Sequence, residues 1–216
     1  MSFKDTFEKI LSFVLPNTCA ICERNISPFR MVCQSCESDI NKLGPNLSLE
    51  KHKGFYLAYY GAYEGKLREL IISYKSGRWR LGKILSMLCV DTIEKLMEPP
   101  FDITYIPSTL TSLEERRFDH VKLIARYVAE HFNVNLVKSI HPVIESRQSG
   151  KSADERRDID GKYIFRGNIR NRKLVIIDDV YTTGTTIKNA VDAIERVESN
   201  LKIYACVIAK VKKVQG

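Results

Sequence analysis

The feature that most constrains the fold is a thirteen-residue stretch, LVIIDDVYTTGTT, at positions 174–186. It begins with four consecutive apolar residues, three of them β-branched, which predicts a short strand buried on both faces, as in a parallel sheet. Apolar residues then recur at helical spacing from Ile187 to Val197, which predicts a helix beginning near Thr183. A buried strand, a tight loop and a helix in succession are typical of α/β folds.

The loop of this stretch has the residue types of an anion-binding site. Free N–H groups and the positive end of the helix dipole face the loop, and Gly184 allows the backbone to approach a ligand closely. We therefore expect a phosphate to bind the backbone and hydroxyl donors of Tyr181, Thr182, Thr183, Gly184, Thr185 and Thr186. Asp178 and Asp179 repel such an anion, so they need another partner. Vicinal ribose hydroxyls fit, with or without a bridging Mg²⁺.

A simpler interpretation is that the two acids only end a strand and that one threonine only caps a helix. All thirteen residues together, however, resemble the 5-phosphoribosyl-1-pyrophosphate (PRPP) motif of the type I phosphoribosyltransferases. The resemblance implies that Asp178 and Asp179 hold the ribose hydroxyls, that residues 181–186 hold the 5′-phosphate, and that Mg²⁺ accompanies PRPP.

Apolar patterns along the rest of the chain alternate between strand and helix. Strands are predicted at FYLAYYGAY, DITYIP, Val134–Ile140, YIF, LVIID and IYACVIA, and helices before Lys75, over Leu81–Met97, over Arg117–Phe132 and after Thr183. This alternation predicts an α/β fold with a mostly parallel, doubly wound sheet and helices on both faces. Ligands of such sheets gather at the carboxyl ends of the strands, which is where the two acids lie.

Four of the six cysteines form two CxxC pairs separated by ten residues: Cys19, Cys22, Cys33 and Cys36. Two such pairs present four thiolates to one ion, so we predict a tetrahedral zinc site. A closed four-cysteine site has no open coordination position, so this zinc is expected to be structural. Disulfides are the alternative, although a cytoplasmic chain disfavours them. Cys89 and Cys206 lie in apolar settings and are expected in the core.

Composition and a linker-like segment at 41–53 suggest the organisation of the chain. We expect an N-terminal helix and four-cysteine zinc module over residues 1–50 and a main domain over residues 51–216. No apolar run reaches membrane-spanning length and the N-terminus lacks a signal-peptide pattern, so a cytoplasmic protein without a membrane span is expected. The net charge of +8 is compatible with phosphate-rich ligands or nucleic acid.

Long polar segments join the predicted core strands, as active-site lids of α/β folds often do. Their cations are candidates for binding a pyrophosphate or a nucleic-acid backbone: Lys75, Arg116, Arg117, Arg147, Lys151, Arg156 and Arg157. For any single one of them, a solvated surface charge is the alternative.

The order of these parts resembles the ComF family, the ComFC- and GntX-like proteins, over most of the chain from Cys19 to Lys210. That family joins a four-cysteine zinc finger to a phosphoribosyltransferase-like domain. Similar elements are YKSG at 74–77, RQSGKSADERR at 147–157, and RRFDH at 116–120, where the family usually has RGFNQ. In the last element Arg117, Asp119 and His120 replace glycine, asparagine and glutamine. We expect His120 to be a surface residue of a helix.

The resemblance implies a cytoplasmic, PRPP-binding protein of natural transformation. It implies the handling of incoming single-stranded DNA beside an ATP-driven DNA-uptake protein and a recombination mediator. Two alternatives stay open: a phosphoribosyltransferase that acts on a nucleobase or related acceptor with PRPP and Mg²⁺, and a PRPP sensor without turnover. The motif alone does not separate them, because binding proteins can share the site of an enzyme. The aromatic residues of FYLAYYGAY are a candidate stacking platform for bases, but alternating aromatics more often build a core.

Overall fold

The computed structural model describes residues 17–46, 48–108, 118–142 and 163–212. Its strands are β1 (Asn17–Thr18), β2 (Asn25–Ile26), β3 (Glu50–Lys51), β4 (Tyr56–Ala62), β5 (Asp102–Tyr105), β6 (Ile140–Pro142), β7 (Tyr163–Phe165), β8 (Lys173–Tyr181) and β9 (Lys202–Lys210). Its helices are α1 (Gln34–Asn41), α2 (Gly65–Lys75), α3 (Gly82–Glu94), α4 (His120–Phe132) and α5 (Thr185–Glu195). A short 3-10 turn over Trp79–Leu81 precedes α3.

The centre of the fold is a five-stranded sheet in the order β3-β4-β9-β8-β5. Four of these strands run parallel, and only the short edge strand β3 is antiparallel to its neighbour. Two small antiparallel pairs, β1–β2 and β6–β7, lie outside this sheet. The predicted α/β fold with a mostly parallel sheet is confirmed.

Helices cover both faces of the sheet. On one face α2, α3 and α4 form a core that includes Leu70, Leu85 and Ile124. On the other face α5 and the antiparallel β6–β7 pair pack together, in a core that includes Ile187 and Phe165. Because β8 and β9 have packed layers above and below them, their central residues are all buried, which explains the absence of polar alternation in both.

The four-cysteine module packs against the same core as α2. Cys19, Cys36 and Ile40 are buried together with Leu67 and Leu70 of that helix. The Ser73 hydroxyl of α2 donates a hydrogen bond of 2.5 Å to the carbonyl oxygen of Ala20. A small module therefore shares apolar surface with the larger layer instead of burying its own alone.

Two helices begin later than the sequence suggests, each because of its cap. The helix after the threonine loop begins at Thr185 and not near Thr183, since Gly184 is its N-cap with φ of 81°. The predicted Arg117–Phe132 helix begins at His120 because the Asp119 side chain caps it, accepting a hydrogen bond of 3.2 Å from the N–H of Lys122.

The predicted strand Val134–Ile140 is mostly irregular. Only Leu136 pairs with β5, through an isolated parallel bridge to Ile103. Beyond it the Ser139 hydroxyl hydrogen-bonds that of Thr104 at 2.8 Å, and β6 begins at Ile140. Cys89 and Cys206 are fully buried, as predicted. Among the helices described, none is both long and apolar enough to cross a membrane.

Candidate functional site

The two acids of the motif lie near the C-terminal end of β8, in the middle of the sheet. The strand extends to Tyr181, so both acids belong to the strand and not to the loop that follows. Successive side chains of a strand point to opposite faces, so Asp178 and Asp179 face different layers. Asp179 shares a face with Ile177, under α2 and α4, whereas Asp178 shares one with Ile176, under α5.

Asp179 is buried and already has two side-chain partners. Its Oδ2 atom lies 2.7 Å from Nζ of Lys75 and 2.6 Å from Nε2 of His120, and the residue is 7% exposed. Burial alone would raise the pKa of Asp179, but the hydrogen bond from His120 and the charge of Lys75 outweigh burial and lower it. Asp179 is therefore a carboxylate that joins α2 and α4 to the end of β8.

His120 is not the surface residue that the sequence suggests. It is 5% exposed, and its ring is held at both nitrogens: Nε2 faces Asp179, and Nδ1 lies 3.2 Å from the Ser108 hydroxyl. An ionised carboxylate only accepts hydrogen bonds, so Nε2 carries the proton. The Tyr74 hydroxyl also donates a hydrogen bond of 2.7 Å to the His120 carbonyl oxygen. The first turn of α4 turns inward toward β8, and helical periodicity does not reveal this.

Asp178 has fewer partners than Asp179. Its Oδ1 atom accepts a hydrogen bond of 2.9 Å from the Asp179 N–H, and within the described ranges no other group hydrogen-bonds this side chain. Burial raises the pKa of Asp178 to about 8, and the negative charge of Asp179 adds to this effect. A half-buried carboxyl with spare acceptor capacity at a strand end suits a ligand that donates hydrogen bonds.

The loop after β8 has the exposed donors that an anion needs. Thr182, Thr183, Thr185 and Thr186 are all exposed, so their hydroxyls are not used for packing. The Thr183 and Thr185 hydroxyls hydrogen-bond each other at 2.9 Å, which gathers two hydroxyl groups at the start of α5. The first N–H groups of a helix have no acceptor within it and add to the same site.

Gly184 is required for a reason that the sequence does not show. We expected its missing side chain to admit a ligand, but the Tyr181 ring lies over it. A Cβ atom at Gly184 would be 2.2 Å from the Tyr181 hydroxyl oxygen, and the φ of 81° independently favours glycine. Tyr181 therefore packs on the loop backbone and forms one wall of the loop.

The four cysteines of the two CxxC pairs form one cluster. Their sulfur atoms all lie within 4.8 Å of one another, and those of Cys22 and Cys33 are 3.6 Å apart. A tetrahedral site with Zn–S bonds of about 2.3 Å needs sulfurs about 3.8 Å apart, so the cluster fits zinc.

The surroundings of the sulfurs also favour a cation. The N–H of Arg24 is the main cause that lowers the pKa of Cys22, to about 6, toward the thiolate that binds metals. Burial, with hydrogen bonds from the other sulfurs, raises the pKa of Cys36 to about 12. A divalent cation among them offsets such crowding of charge.

A cavity of about 840 Å³ opens beside the threonine loop, over the ends of β4 and β9. Its polar and aromatic lining includes Asn46, His52, Tyr59, Thr182, Thr183 and Lys210. Lys210 Nζ lies 2.5 and 2.6 Å from the two Glu50 oxygens and 5.3 Å from the centre of the Tyr59 ring. The cavity thus shares two threonines with the loop, and its volume lies in the range of small-molecule sites.

Of the predicted basic residues, only Lys75 lies in the described part of the chain. Arg116, Arg117, Arg147, Lys151, Arg156 and Arg157 fall outside it. Trp79, four residues after Lys75, was not among the residues predicted from the sequence. Trp79 is 55% exposed between the exposed Arg78 and Arg80, and among the described residues its indole contacts no other ring and makes no hydrogen bond.

Comparison with known proteins identifies the type of domain. The family model of the phosphoribosyl transferase domain matches residues 124–215, less than half of the chain, and this span contains both acids and the threonine loop. Together with the sheet and helices described above, this match shows a type I phosphoribosyltransferase-like fold. The four-cysteine cluster is an addition near the N-terminus. No curated protein matches the chain.

Solved structures of several phosphoribosyltransferases have similar chains. A Helicobacter pylori xanthine-guanine-hypoxanthine phosphoribosyltransferase is 9% identical over 65% of this chain and 79% of its own, with a TM-score of 0.36. An Aeropyrum pernix orotate phosphoribosyltransferase is 16% identical over 66% of this chain and 64% of its own, with a TM-score of 0.36. A Leishmania tarentolae adenine phosphoribosyltransferase is 13% identical over 74% of this chain and 94% of its own, with a TM-score of 0.35. These TM-scores are low and support no conclusion about activity.

Proposed function

We propose that this protein binds PRPP together with Mg²⁺ at the C-terminal end of β8. One observation carries the proposal: a buried strand brings two acids to its end and leads directly into an exposed, threonine-rich loop at a helix N-terminus. The match of the phosphoribosyl transferase family model to this same segment supports it.

Each part of PRPP has a suitable partner in this arrangement. The 5′-phosphate binds the hydroxyls and N–H groups of residues 181–186, where helix and hydroxyl donors converge. The ribose hydroxyls donate to the acidic pair at positions 178 and 179, of which Asp178 has the spare acceptor capacity. Mg²⁺ would be held by carboxylate oxygen of this pair and by the ligand's own phosphates, and when bound it neutralises the charge of the pyrophosphate.

Isothermal titration with PRPP and Mg²⁺ tests the proposal. The double variant Asp178→Ala with Asp179→Ala should lose most of the affinity, because each charge-assisted hydrogen bond contributes about 1–3 kcal/mol. Asp192→Ala on the exposed face of α5 is the control, since it removes a carboxylate from the helix that follows the loop but outside the site. Unchanged PRPP affinity in the double variant would reduce the motif to a strand end and a helix cap.

The cavity beside the threonine loop favours a second function, phosphoribosyl transfer to an acceptor. A nucleobase or related ring needs a pocket near the bound ribose, and the cavity offers aromatic walls beside Thr182 and Thr183. Formation of pyrophosphate from PRPP with a panel of bases is the test. A protein that binds PRPP but turns over none of these acceptors would be a sensor of PRPP.

The resemblance to the ComF family also suggests a role for this PRPP-binding protein in the cell. It adds a cytoplasmic role in natural transformation, with single-stranded DNA, an ATP-driven uptake protein and a recombination mediator as partners. Trp79 between two exposed arginines supports the DNA contact, because stacking and phosphate binding are the two interactions that single strands use.

We also propose a structural zinc ion at Cys19, Cys22, Cys33 and Cys36, within a module spanning residues 1–50 ahead of the main domain at 51–216; the four-cysteine cluster supports it. A four-sulfur site has no open position for a substrate, so its contribution is to the folding of the module and its packing against α2.

A further inference from the structure

The two adjacent acids have different surroundings, although the sequence presents them as an equivalent pair. Asp179 is buried against α2 and α4, where Lys75 and His120 bind the same carboxylate oxygen. Asp178 faces the other layer and is hydrogen-bonded only by the Asp179 N–H within the part of the chain that the structure describes. Two carboxylates with such different partners are not expected to bind one ligand in the same way.

We propose that Asp178 and Asp179 serve two different parts of the ligand. Asp178 binds the ribose hydroxyls, whereas Asp179 is a positioning residue that aims the Lys75 ammonium at the pyrophosphate. This inference rests on the proposed PRPP site and assigns a role to each member of its acidic pair.

Lys75 is suited to bind an anion while it remains paired with Asp179. It is the last residue of α2, and its side chain is 26% exposed, so part of it reaches solvent at the edge of the site. An ammonium has three N–H donors, and the contact with Asp179 at 2.7 Å uses one of them. No other described residue hydrogen-bonds this ammonium, so the remaining donors are available to phosphate oxygens. The carboxylate also prevents the flexible side chain from sampling other positions.

Asp179 is itself held in place by His120. The Nε2–H of His120 donates to Asp179 at 2.6 Å, and the other ring nitrogen lies 3.2 Å from the Ser108 hydroxyl. The Tyr74 hydroxyl, one residue before Lys75, fixes the His120 carbonyl at 2.7 Å. α2 and α4 therefore hold the carboxylate in one orientation, as the positioning of a cation requires.

Three ligands distinguish the two roles: PRPP, ribose 5-phosphate and inorganic pyrophosphate, each titrated calorimetrically with Mg²⁺. Asp178→Asn should lower the affinity for PRPP and for ribose 5-phosphate about tenfold and change the affinity for pyrophosphate by less than about twofold. Lys75→Met should lower the affinity for PRPP and for pyrophosphate about tenfold and change the affinity for ribose 5-phosphate by less than about twofold. Asp179→Asn should follow the Lys75→Met pattern. If Asp179→Asn instead weakens ribose 5-phosphate as much as Asp178→Asn does, the proposal is overturned.

A purely structural role for Asp179 predicts a different result, since partial unfolding lowers the affinity for all three ligands alike. His120 provides a test that leaves the carboxylate in place. His120→Gln keeps an N–H donor for Asp179 and should retain pyrophosphate affinity, whereas His120→Ala should lose it with ribose 5-phosphate affinity unchanged. Equal losses for both ligands in His120→Ala, or unchanged pyrophosphate affinity in Lys75→Met, would contradict the positioning role. If the wild-type protein binds PRPP but the variants deviate as stated, only this inference fails; if the wild-type protein binds no PRPP, the proposed function fails with it.

Discussion

The Nε2 atom of His120 lies 2.6 Å from the Oδ2 atom of Asp179, although the two residues are 59 positions apart in the chain. The contact joins the first turn of α4 to the end of β8, and Lys75 binds the same oxygen atom from α2. Three elements thus meet at the acidic pair that the sequence motif marks.

PRPP binding should depend on pH through Asp178. Burial and the charge of Asp179 raise the pKa of Asp178 to about 8, so much of the unliganded protein carries a proton there at pH 7. Ribose hydroxyls and Mg²⁺ favour the carboxylate, so binding releases that proton, and affinity rises as pH increases toward 8 and then levels. Calorimetry between pH 7 and 9 avoids the titration of the phosphate groups, whose second pKa is about 6. Titrations in two buffers of different ionisation enthalpy should give a proton release that Asp178→Asn removes; a flat profile without release would refute this linkage.

The N-terminal module should carry one zinc ion. Cys33→Ser should lower the zinc content and loosen the module, because such modules draw folding free energy from the metal. Metal analysis of the purified protein checks the stoichiometry. Cys206→Ala, which removes a buried thiol outside the cluster, should retain full zinc content. Full occupancy in Cys33→Ser would be incompatible with four-sulfur coordination.

Gly184→Ala should destabilise the protein more than Gly65→Ala does. Both glycines have positive φ, 81° and 52°, so both variants bear a strain of roughly 1–2 kcal/mol. Only at Gly184 would the new Cβ meet the Tyr181 hydroxyl, at 2.2 Å, whereas nothing lies within 4 Å at Gly65. Thermal unfolding measures the difference, and Tyr181→Ala should restore part of the loss in Gly184→Ala. Equal melting temperatures for the two single variants would mean that the Tyr181 contact is unimportant.

Trp79 allows a direct test of single-stranded DNA binding, because it is the only tryptophan of the chain. If bases stack on its exposed ring, an oligonucleotide should quench the intrinsic fluorescence. The affinity should then fall with salt at a slope of about 0.7 per phosphate neutralised. Anisotropy of a labelled oligonucleotide should show weaker binding to Trp79→Ala than to Trp79→Phe, which retains a stacking ring. Binding by anisotropy without quenching would place DNA elsewhere on the protein, and no binding at low salt would leave DNA handling to a partner.

Features that depend on residues close together in the sequence could be predicted, whereas features that depend on long-range contacts could not. The strand, the loop and the cysteine cluster were predictable because each depends on residues close together in the sequence. The buried run before Asp178 and the spacing of Cys19, Cys22, Cys33 and Cys36 are local patterns with one dominant structural outcome.

The roles of individual site residues depended on long-range contacts and were not predictable in the same way. His120 was expected at the surface because nothing in its helical spacing shows that α4 begins beside β8. The position of Tyr181 over Gly184 was missed because a glycine in a phosphate-loop pattern suggests a ligand, not a neighbouring ring. Trp79 was overlooked among its cations, although an aromatic residue between two arginines was a signal available from the sequence.

The most direct measurement is a crystal structure of the protein with PRPP and Mg²⁺. We expect the 5′-phosphate within hydrogen-bonding distance of Thr183, Thr185 and the first N–H groups of α5, and the ribose hydroxyls on Asp178. We also expect the pyrophosphate near Lys75, with the contacts of Asp179 to Lys75 and His120 retained. A structure in which PRPP binds away from residues 178–186, or in which this loop holds no phosphate at saturating ligand, would contradict the proposed PRPP site.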